Sequence, residues 1–152
     1  MVGDVAGRRG LGAIVAALLA AFLVVGLVPT ADAQTTARHT MLALTNEDRT
    51  DREVAGLELN IRLSRVAKRH SREMADAGSI YHSSNLTGAL APYDWSIGGE
   101  NVGSGGSLES LEKAFMASTA HRKNILRKSF DHVGIGVVKR DGTYWVTLIF
   151  YG

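Results

Sequence analysis

Three side chains in this sequence have the chemistry to hold a cation or activate a water: His82, Glu100 and His121. Two imidazoles and one carboxylate suit zinc, with water in the open coordination position. Other divalent ions suit the same set, because affinity order alone does not select among them. The three are 18 and 21 residues apart. They therefore sit on different elements, and no short metal motif such as His-Glu-x-x-His joins them. Ser118 stands three residues before His121. On one helical face that pair would place a hydroxyl beside an imidazole, with Glu100 free to orient the ring, as nucleophilic catalysis requires. No Gly-x-Ser-x-Gly elbow surrounds Ser118, however. Spacing alone leaves two readings open, a functional site and a polar cluster that serves only the fold.

These residues need a scaffold, and the clearest part of it is one helix. Asn60 is a good N-cap, and Leu63, Val66, Ala67, His70, Met74 and Ala75 then form a single apolar stripe. Gly78 stands where a left-handed C′ residue would end the helix. His70 lies on the stripe and is expected to be a hydrogen-bonded core histidine. An earlier, weakly patterned helix is expected over 37–50, with Met41, Leu44 and Thr45 inward. Residues 79–106 carry six glycines and one proline and read as loop. Ser107 caps a third helix whose inner face would be Leu108, Leu111, Ala114, Phe115 and Ser118. The period then changes: Val133, Ile135 and Val137 alternate with Gly134 and Gly136, and Asp141-Gly142 signals a two-residue hairpin. Thr143 to Tyr151 reads as a strand covered on both faces, and the two glycines leave room for a helix to pack close. The class is α+β, with helices flanking a small antiparallel sheet.

Composition narrows the possibilities further. The chain has 152 residues, a formal net charge of +2 and no cysteine. It is neither a disulfide scaffold nor an acylated lipoprotein. Arg8 and Arg9 precede an uncharged stretch from Leu11 to Val28, followed by Pro29 and Ala31-Asp32-Ala33. That is the grammar of a signal peptide over 1–33, cleaved after Ala33. The alternative is an uncleaved membrane anchor. Residues 34–39 would then be a short N-terminal segment and 40–152 the domain, with no stable membrane span after cleavage. The basic runs Arg62, Arg65, Lys68, Arg69 and Arg122, Lys123, Arg127, Lys128 lack interleaved aromatics, which argues against nucleic acid. The 103–107 loop lacks the Gly-Lys-Ser/Thr ending of a phosphate loop, which argues against nucleotides.

Taken in order, the short motifs resemble one family. They are Leu44-x-Asn46-x-x-Arg49, Ala67-x-x-His70-Ser71-x-x-Met74-Ala75, His82-Ser83, Gly99-Glu100-Asn101-Val102, Ser118-x-x-His121-Arg122-x-Asn124-Ile125-Leu126 and Val133-Gly134-Ile135-Gly136-Val137. This series is similar to the bacterial, SCP-like branch of the CAP superfamily of cysteine-rich secretory proteins, insect venom antigens and plant pathogenesis-related proteins. The resemblance covers residues 40 to 152. It implies an α-β-α sandwich with a cleft of two histidines and two acids, in some members with a divalent cation. Carried over, the histidines fall on His82 and His121 and one acid on Glu100. The second acid is replaced by Ser118, three positions after the aromatic Phe115. Six residues along a helix turn Glu112 about 120° away from Ser118, so it is a poor substitute. Asn101 and Asn124 are expected to bond loop backbone and hold Glu100 and His121 in place. Arg122 reads equally as an ion-pair partner or a ligand contact.

The resemblance implies a secreted, extracellular bacterial protein whose cleft of His82, Glu100, His121 and Ser118 binds a lipid or cell-envelope ligand. A divalent cation, zinc first, would be held by His82, Glu100 and His121. The competing readings are a metal-assisted extracellular hydrolase and an envelope protein without catalysis. Fold does not decide between them.

Overall fold

The structure, a computed structural model, describes residues 31–152. The signal-peptide reading of 1–33 lies almost wholly outside those residues. Among them, no helix is long and apolar enough to cross a membrane.

The capped helix is the expected one. It is the second helix of the chain, α2, spanning Ile61–Ala77. The Asn60 side chain accepts from the Leu63 amide at 2.9 Å, and Gly78 closes the helix at φ 63°. Both are capping solutions for backbone groups that a helix end leaves unpaired. Before it come α1 (Ala31–Thr50) and a two-residue strand β1 (Glu58–Leu59). After it come α3 (Leu86–Leu90), β2 (Gly98–Gly105), α4 (Leu108–Ala117), α5 (Thr119–Ile125), β3 (His132–Arg140) and β4 (Thr143–Tyr151). Residues 34–39 lie within α1.

The sheet runs in the order β1-β3-β4-β2, with β1 parallel to β3 and the other pairs antiparallel. The Asp141-Gly142 hairpin is as expected, with positive φ at both residues, 48° and 79°. Side chains alternate between the two faces of each strand. Val133, Ile135, Val137, Val146, Leu148 and Phe150 point one way and form the main core with Met41, Leu108, Leu111, Phe115 and Ile125. Ile149 and Tyr151 point the other way, with Leu63, Ala67 and Leu90. The result is an α-β-α sandwich, with α2 on one face and α1, α4 and α5 on the other.

Gly134 and Gly136 set how closely α2 lies. A Cβ at Gly136 would run into the Ala67 backbone, and one at Gly134 would run into Leu63. Polar bonds then lock the layers: Ser64 Oγ accepts from the Ile135 amide at 3.0 Å, and Ser71 donates to the Gly136 carbonyl at 3.1 Å.

Three expectations are corrected. The glycine-rich 79–106 stretch is not all loop: it contains α3 and the whole of β2. Two of the β2 glycines allow close packing, since a Cβ at Gly103 would meet the Phe115 ring at 2.8 Å and one at Gly105 would meet Leu111 at 3.0 Å. The inner face of α4 is Leu108, Leu111, Glu112 and Phe115, while Ala114 is exposed. Ser118 is half-buried and ends α4 in an extended conformation, so it shares no continuous helical face with His121.

Candidate functional site

β2 is one of the two edge strands of the sheet, and it carries Glu100 and Asn101. Gly98 lies against Leu90 on the α2 side, whereas Gly99 faces Asn124 and Phe130 on the other. Alternation then sends Glu100 to the α2 side and Asn101 to the α5 side.

On the α2 side, the loop after Gly78 brings in His82 and Ser83. The His82 ring lies with Nδ1 2.8 Å from Glu100 Oε1. A carboxylate oxygen accepts there, so Nδ1 carries the proton and Nε2 of the neutral ring is left as the open acceptor. The same Oε1 accepts from the Ser83 amide at 3.0 Å, and Oε2 accepts a short hydrogen bond from the Ser83 hydroxyl. The Glu100 side chain is 4% exposed and that of His82 63%. A buried carboxylate thus aims an exposed imidazole.

On the other side, α5 carries His121 and Asn124. Asn101 donates to the His121 carbonyl at 3.1 Å. Asn124 donates both to Asn101 Oδ1 at 2.9 Å and to the Glu100 carbonyl at 3.2 Å. The two asparagines thus bond the backbone of α5 and β2, rather than of a loop, at His121 and Glu100. The His121 ring meets Phe115 edge-on at 5.0 Å. Burial, and secondarily the charge of nearby His82, hold its pKa below the ordinary histidine range. His121 is thereby kept as a neutral imidazole near pH 7.

The remaining expected residues divide. Ser118 caps α5 without a side-chain capping bond. Arg122 donates to the Met116 carbonyl at 2.9 Å and has no acidic partner among the described residues. His70 is a satisfied core histidine, its Nε2 2.8 Å from the Tyr81 carbonyl oxygen. Glu112 turns to α1, where it accepts from Thr45 at 3.2 Å.

Ser83 is the residue that sequence reasoning left without a role. Its signal was available in the His82-Ser83 pair, because a buried carboxylate needs donors and a backbone amide plus a hydroxyl supply two of them.

Among the described residues, no group of three His, Asp or Glu side chains is placed to hold one metal ion. The donor chemistry explains why. Both oxygens of Glu100 already accept hydrogen bonds, so it stands behind His82 rather than as a third ligand.

Fold and site together define a class, and comparison with known proteins agrees. Residues 42–150 match the family model described as the cysteine-rich secretory protein family, CAP. The chain belongs to this family, although it contains no cysteine itself. It is 33% identical over 114 residues to the uncharacterized protein YkwD of Bacillus subtilis, covering 69% of this chain and 43% of that protein. The chain thus spans less than half the length of that relative. Among solved structures it resembles an extracellular protein containing a SCP domain from Bacillus anthracis, with a TM-score of 0.68 at 24% identity, covering 82% of this chain and 44% of that one. It also resembles an outer surface protein of Borrelia burgdorferi, with a TM-score of 0.69 at 19% identity, covering 78% of this chain and 93% of that one.

Proposed function

We propose that this is an exported CAP-domain protein whose cleft, built on His82, Glu100, His121 and Ser118, binds a component of the cell envelope. The observation that carries the reading is the Glu100–His82 hydrogen bond, 2.8 Å long, by which a buried carboxylate holds an exposed imidazole. An imidazole that served only the fold would have no reason to be both oriented and solvent-facing. The site would take a divalent cation, zinc first, on His82 and His121, with Glu100 orienting His82 from behind. When bound, the cation would polarise a ligand oxygen. Export is supported by the leader-like sequence before Gln34 and by relatives described as extracellular or outer-surface proteins.

Co-sedimentation with purified bacterial envelopes and with phospholipid vesicles tests the binding reading. Protein should pellet with one of them and lose most of that binding on His82→Ala with His121→Ala. Equal pelleting of the double variant, or no pelleting with either, would contradict it. Which of the two brings the protein down separates an envelope polymer from a lipid.

A further inference from the structure

α2 presents a second stripe, Arg62, Val66, Arg69 and Glu73, toward the segment 81–93. Spacings of four, three and four residues put these side chains on one helical face. Between that face and the segment lies a cavity of about 440 Å³, within the size range of small-molecule sites. Val66, Ala89 and Ile149 give it a short apolar floor. Around the floor stand two guanidiniums, two phenol rings, an imidazole and an amide: Arg62, Arg69, Tyr81, Tyr93, His82 and Asn85.

Charge and chemistry select the occupant. Neither Arg62 nor Arg69 has an acidic partner among the described residues. The one carboxylate on the wall, Glu73, lies 3.5 Å from His70 Nδ1 and can balance only one of the two guanidiniums. The cavity is thus cationic, and guanidiniums hold phosphate or carboxylate in a fork of parallel N–H donors. Tyr93 stacks one face on Tyr151, with centroids 5.2 Å apart, and Tyr81 is 42% exposed. Aromatic faces are electron-rich and attract the C–H edge of a sugar ring. The Asn85 carbonyl already accepts from the Gly88 amide at 2.9 Å, which leaves its NH₂ group to donate to a ligand hydroxyl. An acyl chain would find Val66, Ala89, Pro92 and Ile149 as its aliphatic contacts, and it would leave both guanidiniums without an anion.

We infer that this cavity binds an anionic saccharide, a sugar bearing a phosphate or carboxylate, with Arg62 and Arg69 on the anion and Tyr81 and Tyr93 along the ring. It shares His82 and Ser83 with the cleft but uses no cation, so it stands or falls separately from the metal reading.

Calorimetric titration of protein made from the full sequence, with EDTA present, tests it using glucuronate, glucose 6-phosphate, glucose and inorganic phosphate. Both anionic sugars should bind at least about tenfold tighter than glucose or phosphate, and binding should weaken as salt rises from about 0.05 to about 0.5 M. Arg62→Ala with Arg69→Ala removes two exposed side chains and should cost at least about tenfold in affinity for both sugars. Tyr81→Ala leaves the backbone carbonyl on His70 intact and should weaken sugars severalfold while sparing phosphate. Failure of both anionic sugars to bind, equal affinity for glucose, or unchanged affinity in the arginine variant would overturn the inference. Phosphate binding as tightly as glucose 6-phosphate would reduce the cavity to an anion site and overturn the saccharide assignment.

Discussion

The carboxylate of Glu100 accepts from His82 Nδ1 at 2.8 Å, so the orientation of an exposed side chain depends on one that is almost wholly buried. This asymmetry makes the two residues respond differently to substitution. Glu100→Ala leaves the Ser83 amide and hydroxyl without their acceptor, at a cost of about 1–3 kcal/mol. His82→Ala removes an exposed ring and should stay within about 0.5 kcal/mol. Leu63→Ala, by contrast, empties a fully buried position against Gly134 and should cost about 2–5 kcal/mol. Urea denaturation of the three variants compares them. A loss for His82→Ala as large as that for Leu63→Ala would make the pair a structural feature.

Glu112 gives the fold a pH dependence of unusual sign. It is 2% exposed, and its Oε1 has no hydrogen-bond partner. Burial pushes its pKa up from 4.5 to about 7, against the Thr45 hydrogen bond and with help from the charge of Asp48. A raised carboxyl pKa means that the folded state holds the proton more tightly than the unfolded one. The group therefore costs nothing below 4.5, and its penalty grows as pH rises from 4.5 through about 7. Glu112→Gln should stabilise the protein by on the order of 3 kcal/mol at about pH 8 and leave it nearly unchanged at about pH 4.5. Denaturation midpoints across that range measure it, and a difference independent of pH would contradict the assignment.

Arg49 anchors α1 in a way that a lysine cannot copy. Its buried guanidinium donates to the carbonyls of Ala55, Ile125, Arg127 and Phe130 at 2.7 to 3.1 Å. Arg49→Lys supplies three donors on a point charge in place of a planar fork, so it leaves at least one buried carbonyl unpaired. The expected loss is about 2–4 kcal/mol by thermal or urea unfolding. Wild-type stability in Arg49→Lys would show that water or rearrangement satisfies those carbonyls.

What could be read in advance follows from where side-chain pattern and packing agree. α2 was legible because Asn60, its apolar stripe and Gly78 all mark the same helix. The β3–β4 hairpin was legible because Asp141-Gly142 is a local signal. β2 was hidden because its glycines erase the alternation that announces a strand. Gly103 and Gly105 let Phe115 and Leu111 approach, and Gly98 and Gly99 lie against Leu90, Asn124 and Phe130, a tertiary reason with no local trace. The break at Ser118 was hidden for a similar reason, because α4 and α5 are joined in sequence by residues of ordinary helix propensity. Glu100 was legible as a site residue but not its position behind His82, because alternation about a strand cannot be counted before the strand is known.

Zinc calorimetry on the protein at pH 7.5 and 5.5 tests the central claim, that His82 and His121 form the working pair of the cleft. One site should appear at the higher pH. It should weaken by at least about tenfold at the lower, as protons compete for imidazole nitrogens. His82→Ala or His121→Ala should abolish it, and Glu100→Gln should weaken it about 10–100-fold by loosening His82. Ser118→Glu should tighten it by adding a carboxylate. Absence of zinc heat in both the natural protein and Ser118→Glu would contradict the cation-binding cleft. So would a site indifferent to both histidines.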